Sequence, residues 1–534
     1  MVLLRPPRLA MNLSGWIPRI EDIAQENPLF DTLTATAGDL QRELTAGRLT
    51  SVQIVRQYCH AIFSFNGYLN AVYELAPGAI QQAESRDKAR AEGRVLGALH
   101  GIPILLKDNI NTGVDLQMGT RAGGLALVNA TAKGNAPIVD RLIEAGAIIM
   151  GKSTMSEYAY FKGSGIRCGW SALAGQCQNP YVSGGDKADD GLGGHSSTGG
   201  SSSGSAVSVS AGLAPIAIGT ETEGSLVVPA TRAGLYTLKP TLGLILGEGI
   251  VPITPRFDTA GPMAKCVKDI ADLLTELVDP SKTNVPEGGY SAAIGNADSW
   301  KEIRVGTLKP DEWLPPDGLI KPVAGATTQI LQETQLAYDK IRGLAKSYHE
   351  NVTLRSDRDF FLDGENALST MMVSDFEEAV NHFLADLETS KVRTLAEVVE
   401  WNSAHADEAL SAEYPKQDLL ERALNAKFSK EKVDQTLKHI ETVGASFDET
   451  IAKYDLDVII GPTDSLLSAF SASQGCPIAT LPLAYLDYNG RPISLLAAAP
   501  RHHEATLIKL MGAFECSFPK LQPPSELLAH RADL

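Results

Sequence analysis

Between residues 39 and 62, apolar side chains recur at helical spacing (Leu40, Leu44, Leu49, Val52, Val55, Ile62), and Thr50 with Ser51 predicts a cap between two helices. Strand-like and helix-like stretches then alternate. Strands are expected at 70–75, 102–106 and 147–150, with helices at 79–93 and 137–146. A short helix at 206–211 and a buried strand at 213–218 continue the alternation, which predicts an α/β domain with helices packed on a largely buried sheet. From 323 to 455 the pattern turns helical, with amphipathic segments at 327–348, 369–387 and 434–454. This block is expected to cover one side of the sheet and to shape a substrate pocket. Strand patterning returns at 456–460 and in two apolar runs, 477–486 and 492–499, joined through the hairpin signal Asn489-Gly490. Since strands resume after 456, the chain reads as one interwoven domain over 36–534, preceded by an irregular wrapping arm at 1–35. The stretch 183–200, rich in Gly, Asp and Ser, is expected to be a surface loop.

Composition narrows the classes. At 534 residues with 44% hydrophobic side chains the chain can bury a large core. A net charge of -17, with no basic patch, excludes nucleic acid as the main partner, because phosphate binding needs clustered Lys and Arg. The six cysteines are scattered without zinc-like or disulfide-dense spacing, so reduced structural thiols and no metal site are expected. No stretch approaches the ~20 apolar residues of a membrane span, and the first residues break into prolines and arginines before a signal-peptide core forms. A cytoplasmic protein is the expectation; sequons at Asn12, Asn129 and Asn351 would matter only after secretion.

The candidate chemistry lies in two clusters of small hydroxyl residues and glycines, GGSSSGS at 199–205 and TETEGS at 220–225. The helix and strand between them can fold both back onto one spot. Upstream, the apolar run GIPILLK ends at Lys107, where hydrocarbon neighbours can strip the amine of water and lower its pKa. Serine hydroxyls beside such a lysine can form a nucleophile and its base.

Two other motifs match in letters and fail in context. GAIIMGKS at 146–153 satisfies the phosphate-binding loop pattern, but its middle residues are themselves strand-like, so Lys152 reads as a buried strand exit. GSSSG at 200–204, with His502 or His503 downstream, matches a hydrolase nucleophile elbow on Ser202. The elbow needs a strand directly before it, and DKADDGLGG at 186–194 cannot supply one.

Taken with LHGIPILLKDNI at 99–110, GKSTMSE at 151–157, NPY at 179–181, GLYTLKPT at 234–241 and DTAGPM at 258–263, the two clusters resemble the amidase signature family of serine hydrolases. The similarity spans most of the chain, with the signature core at about 95–265. The GWS at 169–171 and the serine run at 200–205 are most similar to the peptide amidase branch, which removes the amide from peptide C-termini.

The resemblance implies a single α/β domain built on a mixed, twisted central sheet with helices on both faces. It also implies an amidohydrolase without cofactor or metal, acting on a small-molecule or peptide amide as a monomer or homodimer. Carried over residue by residue, Ser225 is the implied nucleophile, Ser201 a bridging serine after a cis peptide bond, and Lys107 the neutral base. Thr222, Glu223, Gly224 and Ser225 would supply oxyanion-hole amides, and Ser202 a supporting hydrogen bond. The chain carries Glu223-Gly224 where many members have two glycines, and Val227 where many have arginine; the peptide amidase branch departs at both positions too. Val227 in place of that arginine, with apolar Leu226 and Val228 around the nucleophile, suggests an uncharged pocket and argues against the glutamine-using amidotransferase subunit, one of two alternatives; the other is an acyltransferase or esterase with the same triad. The stretch 183–194 looks like an insertion relative to the peptide amidase branch.

Overall fold

The computed structural model describes residues 28–315, 319–525 and 527. The expected arm at 1–35 therefore lies largely outside the described residues. Helix α1 (Ala37–Thr45) is closed by a capping box on Thr36 and Asp39, and α2 (Ser51–Leu69) by one on Thr50 and Gln53, so the predicted cap falls at Thr50.

Eleven strands form one sheet: β1 (Val72–Leu75), β2 (Pro103–Lys107), β3 (Ile148–Ser153), β4 (Ile216–Glu221), β5 (Tyr236–Lys239), β6 (Thr259–Ala264), β7 (Arg304–Thr307), β8 (Ser347–His349), β9 (Val458–Gly461), β10 (Ile478–Tyr485) and β11 (Pro492–Ala498). Their spatial order is β1-β3-β2-β4-β6-β5-β10-β11-β9-β7-β8. Pairing is mixed: β3, β2 and β4 run parallel, as do β9, β7 and β8, and antiparallel strands join the two sets. Every residue of β2, β3, β4, β5, β6, β9 and β11 is buried, which explains why β2, β3, β4, β9 and β11 read as apolar runs without alternation; β5 and β6 were not expected from the sequence. The family-implied mixed, helix-covered sheet is the one observed.

Three local expectations shift. The strand expected at 213–218 starts later, at Ile216, and so carries Thr220 and Glu221 to its exit. The helix expected at 206–211, α3 (Ser203–Ser210), starts earlier and takes the serine run into its first turn. The third expected segment of the helical block is two helices, Lys430–Gly444 and Ser446–Tyr454.

The stretch 183–200 corrects the sequence reading more substantially. Residues 193–199 are buried, not a surface loop. Arg232 donates to Gly194 O at 2.6 Å and pairs with Asp464, which Arg491 also contacts at 2.8 Å. Asp190 accepts from both the backbone and the hydroxyl of Ser196 at 2.7 Å, and Arg167 grips Asp186, Asp190 and Gly191 O. The two guanidiniums hold the Asp464 carboxyl well below the usual range. Residues 183, 184 and 187–189 are exposed as a surface loop would be, but Asp186 and Asp190 are spent on Arg167, a use that composition alone cannot distinguish from solvation. Lys152 is wholly buried in β3, with its amine donating to Ile110 O and Thr120, so the phosphate-loop reading fails as expected. No helix among the described residues is long and apolar enough to cross a membrane.

Candidate active site

The parallel strands β2 and β4 are neighbours, with Leu106 opposite Ile218, and both end at one spot. Lys107 is the last residue of β2 and is fully buried. Its Nζ lies 2.8 Å from Ser201 Oγ, 2.8 Å from Thr220 Oγ1 and 3.1 Å from Thr220 O. Ser201 is fully buried, and the Gly200–Ser201 peptide is cis. Burial pulls the Lys107 amine down to about 7, against the opposing charges of Asp258 and Glu221.

The two hydroxyl clusters meet as expected. Ser202 donates to Thr220 O at 3.0 Å and accepts from Thr220 N at 3.2 Å, while Ser202 N donates to Ser225 O at 3.3 Å. The Ser202 hydroxyl is thus spent on the backbone of Thr220. Ser225, the only residue of the Lys107, Ser201, Ser202 and Ser225 group with solvent access, is half-buried at the start of a tight turn into α4 (Val227–Arg232). No strand precedes the run at 200–204, and His503 caps the helix Glu504–Ser517, so the elbow reading is not supported.

Glu221 shapes the turn around Ser225. Its Oε2 accepts from Leu226 N at 2.6 Å and Val227 N at 3.1 Å, bending 222–225 outward from the sheet. Gly224 sits at φ 78, a conformation that favours glycine. The amides of Thr222, Glu223, Gly224 and Ser225 are absent from the backbone ladder and donate to no group among the described residues. Thr222 Oγ1 is tied to Asp258 at 2.6 Å, and Asp258 also accepts from Ile253 N and Thr254 N. Burial and the nearby Glu221 push the half-buried Glu223 carboxyl up to about 7.

Sequence reasoning singled out neither Glu221 nor Asp258, although each lies inside one of the matching motifs. Acidic residues flanking a nucleophile were the available signal. A second correction concerns the side chains after Ser225. Leu226 and Val227 are fully buried in two different core clusters and do not line a pocket; only Val228 is partly open.

Beside the cluster lies a cavity of about 610 Å³ whose wall includes Asn109, Thr220, Glu221, Thr222 and Asp258. The helical block lines one side of it through Ala379, His382 and Phe383 of α5 (Ala367–Asp386).

Charge around Lys107 gives a test. Asp258→Asn removes a negative charge that favours the ammonium, so the amine pKa should fall and the acid limb of the kcat/KM profile should move to lower pH. An unchanged or alkaline-shifted limb would mean that Lys107 does not set it.

Residues 53–508 match the family model for amidases. A "probable amidase" of Arabidopsis thaliana is 32% identical over 511 residues, covering 93% of this chain and 92% of that protein. The native peptide amidase of Stenotrophomonas maltophilia superimposes with a TM-score of 0.80 at 32% identity, covering 92% of this chain and 98% of the amidase. A glutamyl-tRNA(Gln) amidotransferase subunit of Deinococcus radiodurans is 34% identical, but over 51% of this chain and 53% of its own length. An extended match to amidases, against a match to amidotransferase subunits over about half of each chain, agrees with the strand-exit architecture around Lys107, and the chain belongs to the amidase family of hydrolases that act on carbon–nitrogen bonds of linear amides.

Proposed function

We propose that the protein hydrolyses a linear carboxamide through an acyl-enzyme on Ser225, with Ser201 and Lys107 as proton relay and base. The observation that carries this reading is the buried Lys107 amine, 2.8 Å from Ser201 Oγ and drawn down to about 7. A neutral amine has two hydrogens and one lone pair. Thr220 O and Thr220 Oγ1 take the two hydrogens, which turns the lone pair toward Ser201.

Ser201 then passes its proton to Lys107 and receives that of Ser225 as Ser225 Oγ attacks the carbonyl carbon. Negative charge on the carbonyl oxygen is met by the free amides of 222–225; one such donor is worth about 3 kcal/mol of barrier. The proton returns through Ser201 to the leaving nitrogen, the C–N bond breaks, and ammonia or an amine departs. Water, activated by the same relay, releases the acid.

The similarity to peptide amidase supports an amidated peptide end, or an aryl or alkyl amide, as substrate. Val227 stands where many relatives have arginine, and neither it nor any Arg or Lys lines the cavity, so no guanidinium or ammonium there greets the carboxylate of free glutamine. The purified chain, acting alone, is expected to release ammonia from peptide amides and simple amides and to leave free glutamine untouched. Glutaminase activity equal to the best amide activity, or activity appearing only with a second protein added, would favour the amidotransferase reading.

A further inference from the structure

Ser201 and Ser225 are carried on separate pieces of chain, and a second buried network fastens those pieces together. Ser225 leads directly into α4, whose last residue is Arg232, whereas Ser201 is approached through the buried residues 193–199. The two pieces touch. A Cβ placed on Gly199 would lie 3.0 Å from Val228 Cγ1, 3.1 Å from Pro229 N and 3.1 Å from Arg232 Cδ, so α4 rests on the backbone two residues before Ser201.

Arg232 closes that contact with both its side chain and its backbone. Its Nη1 donates to Gly194 O at 2.6 Å, and its carbonyl accepts from Asn179 Nδ2 at 3.1 Å, an amide that also reaches Ser197 O at 3.4 Å. Asp464 accepts from Arg232 Nε at 3.3 Å and from Arg491 Nη1 at 2.8 Å. Arg491 Nη2 lies 3.4 Å from His195 Nδ1, and Asn489 Nδ2 donates to His195 O at 2.9 Å. Asn179, His195, Arg232, Asp464 and Arg491 are each at most 8% exposed.

Two guanidiniums sharing one carboxylate in a dry interior are costly, and packed hydrophobic side chains of similar volume would stabilise the fold as well or better. Arg491 Nε even lacks a hydrogen-bond partner among the described residues. A network of that cost, gripping backbone carbonyls on the approach to Ser201, is suited to placement more than to stability. None of its residues borders the cavity, so the substrate does not explain it either.

We infer that Arg232 is a positioning residue of the relay, setting the spacing of Ser201 and Ser225 by locking α4 to residues 194–199. The inference rests on the proposed amide hydrolysis and adds what keeps its two serines in register. The guanidinium fork holds Gly194 O and Asp464 at once, from two different nitrogens; a lysine presents only one.

Arg232→Lys keeps a charge opposite Asp464 but gives up the fork, and a displacement of about 1 Å at the relay should lower kcat about ten- to a hundredfold. KM should stay within about twofold, because the lost contact is not one made to the substrate. Asn179→Ala leaves the guanidinium pairs intact and should lower kcat about three- to tenfold. Asp186→Asn is the control: it breaks the Arg167 pair upstream in the same stretch and should lower Tm with kcat unchanged. The acid limb of kcat/KM should remain near pH 7 in all three variants, since Asp258 and Glu221, the charges acting on Lys107, are untouched. Labelling by a fluorophosphonate, which reports the activated serine without amide turnover, should slow in step with kcat. Wild-type kcat in Arg232→Lys or, where that variant does not fold, in Asn179→Ala would overturn the inference and leave amide hydrolysis standing. So would a loss confined to KM, a displaced acid limb, or an equal fall in kcat for Asp186→Asn. A wild-type protein that neither hydrolyses amides nor takes up the label would overturn both readings.

Discussion

Replacing Ser225 by alanine is expected to lower kcat by about a million-fold, the scale seen when a serine nucleophile is removed and only binding and oxyanion contacts remain. The fold should be unaffected. Ser225 is half-buried in a turn held by Glu221 and by the backbone of Ser202, and none of those contacts uses the Ser225 hydroxyl. A Ser225→Ala protein with unchanged Tm and near-normal amide hydrolysis would remove the nucleophile from the mechanism.

Lys107→Ala carries the second large effect. A positioned base contributes about a hundred- to ten-thousandfold, and no other amine reaches Ser201 among the described residues, so a loss of that size is expected. The pH dependence follows from the same burial. With an amine pKa near 7 the base is protonated and inactive below that value, so kcat/KM for a neutral amide should rise through about pH 7 and level above it. Because the folded-state pKa is depressed below that of an exposed lysine, the unfolded chain binds the extra proton between the two values, and this group adds stability as pH rises from about 7 toward the usual lysine range. A rate that falls through pH 7, or a Lys107→Ala enzyme of normal activity at neutral pH, would contradict a neutral lysine base.

Much of this arrangement could be read from the chain because the relevant physics is local. Apolar runs ending in polar residues mark strand exits, and the exits of β2 and β4 put Lys107 beside Thr220. Glycines around Ser201 and Ser225 marked turns that other residues avoid. What escaped the sequence depends on distant partners. The buried ion pair of Arg232 and Asp464, which Arg491 joins, connects segments more than 200 residues apart, so residues 193–199 looked solvated until those partners were in place. Leu226 and Val227 looked like pocket walls because they follow Ser225, but the turn directs them into the core. Tyr158, Ala159 and Tyr160 adopt successive left-handed conformations, and Ala159 borders the cavity. Non-glycine residues pay about 1 kcal/mol each for that geometry, which no local preference announces.

The identity of the acylated hydroxyl decides the mechanism. A fluorophosphonate, which forms a stable phosphonyl ester with an activated serine, followed by proteolysis and mass spectrometry of the labelled peptide, identifies that hydroxyl directly. The expected result is stoichiometric labelling of Ser225, lost in Ser225→Ala, sharply slowed in Lys107→Ala, and still formed on Ser225 in Ser202→Ala. Labelling that persists in Ser225→Ala but disappears in Ser202→Ala would transfer the nucleophile to the 199–205 cluster and contradict the relay from Lys107 through Ser201 to Ser225.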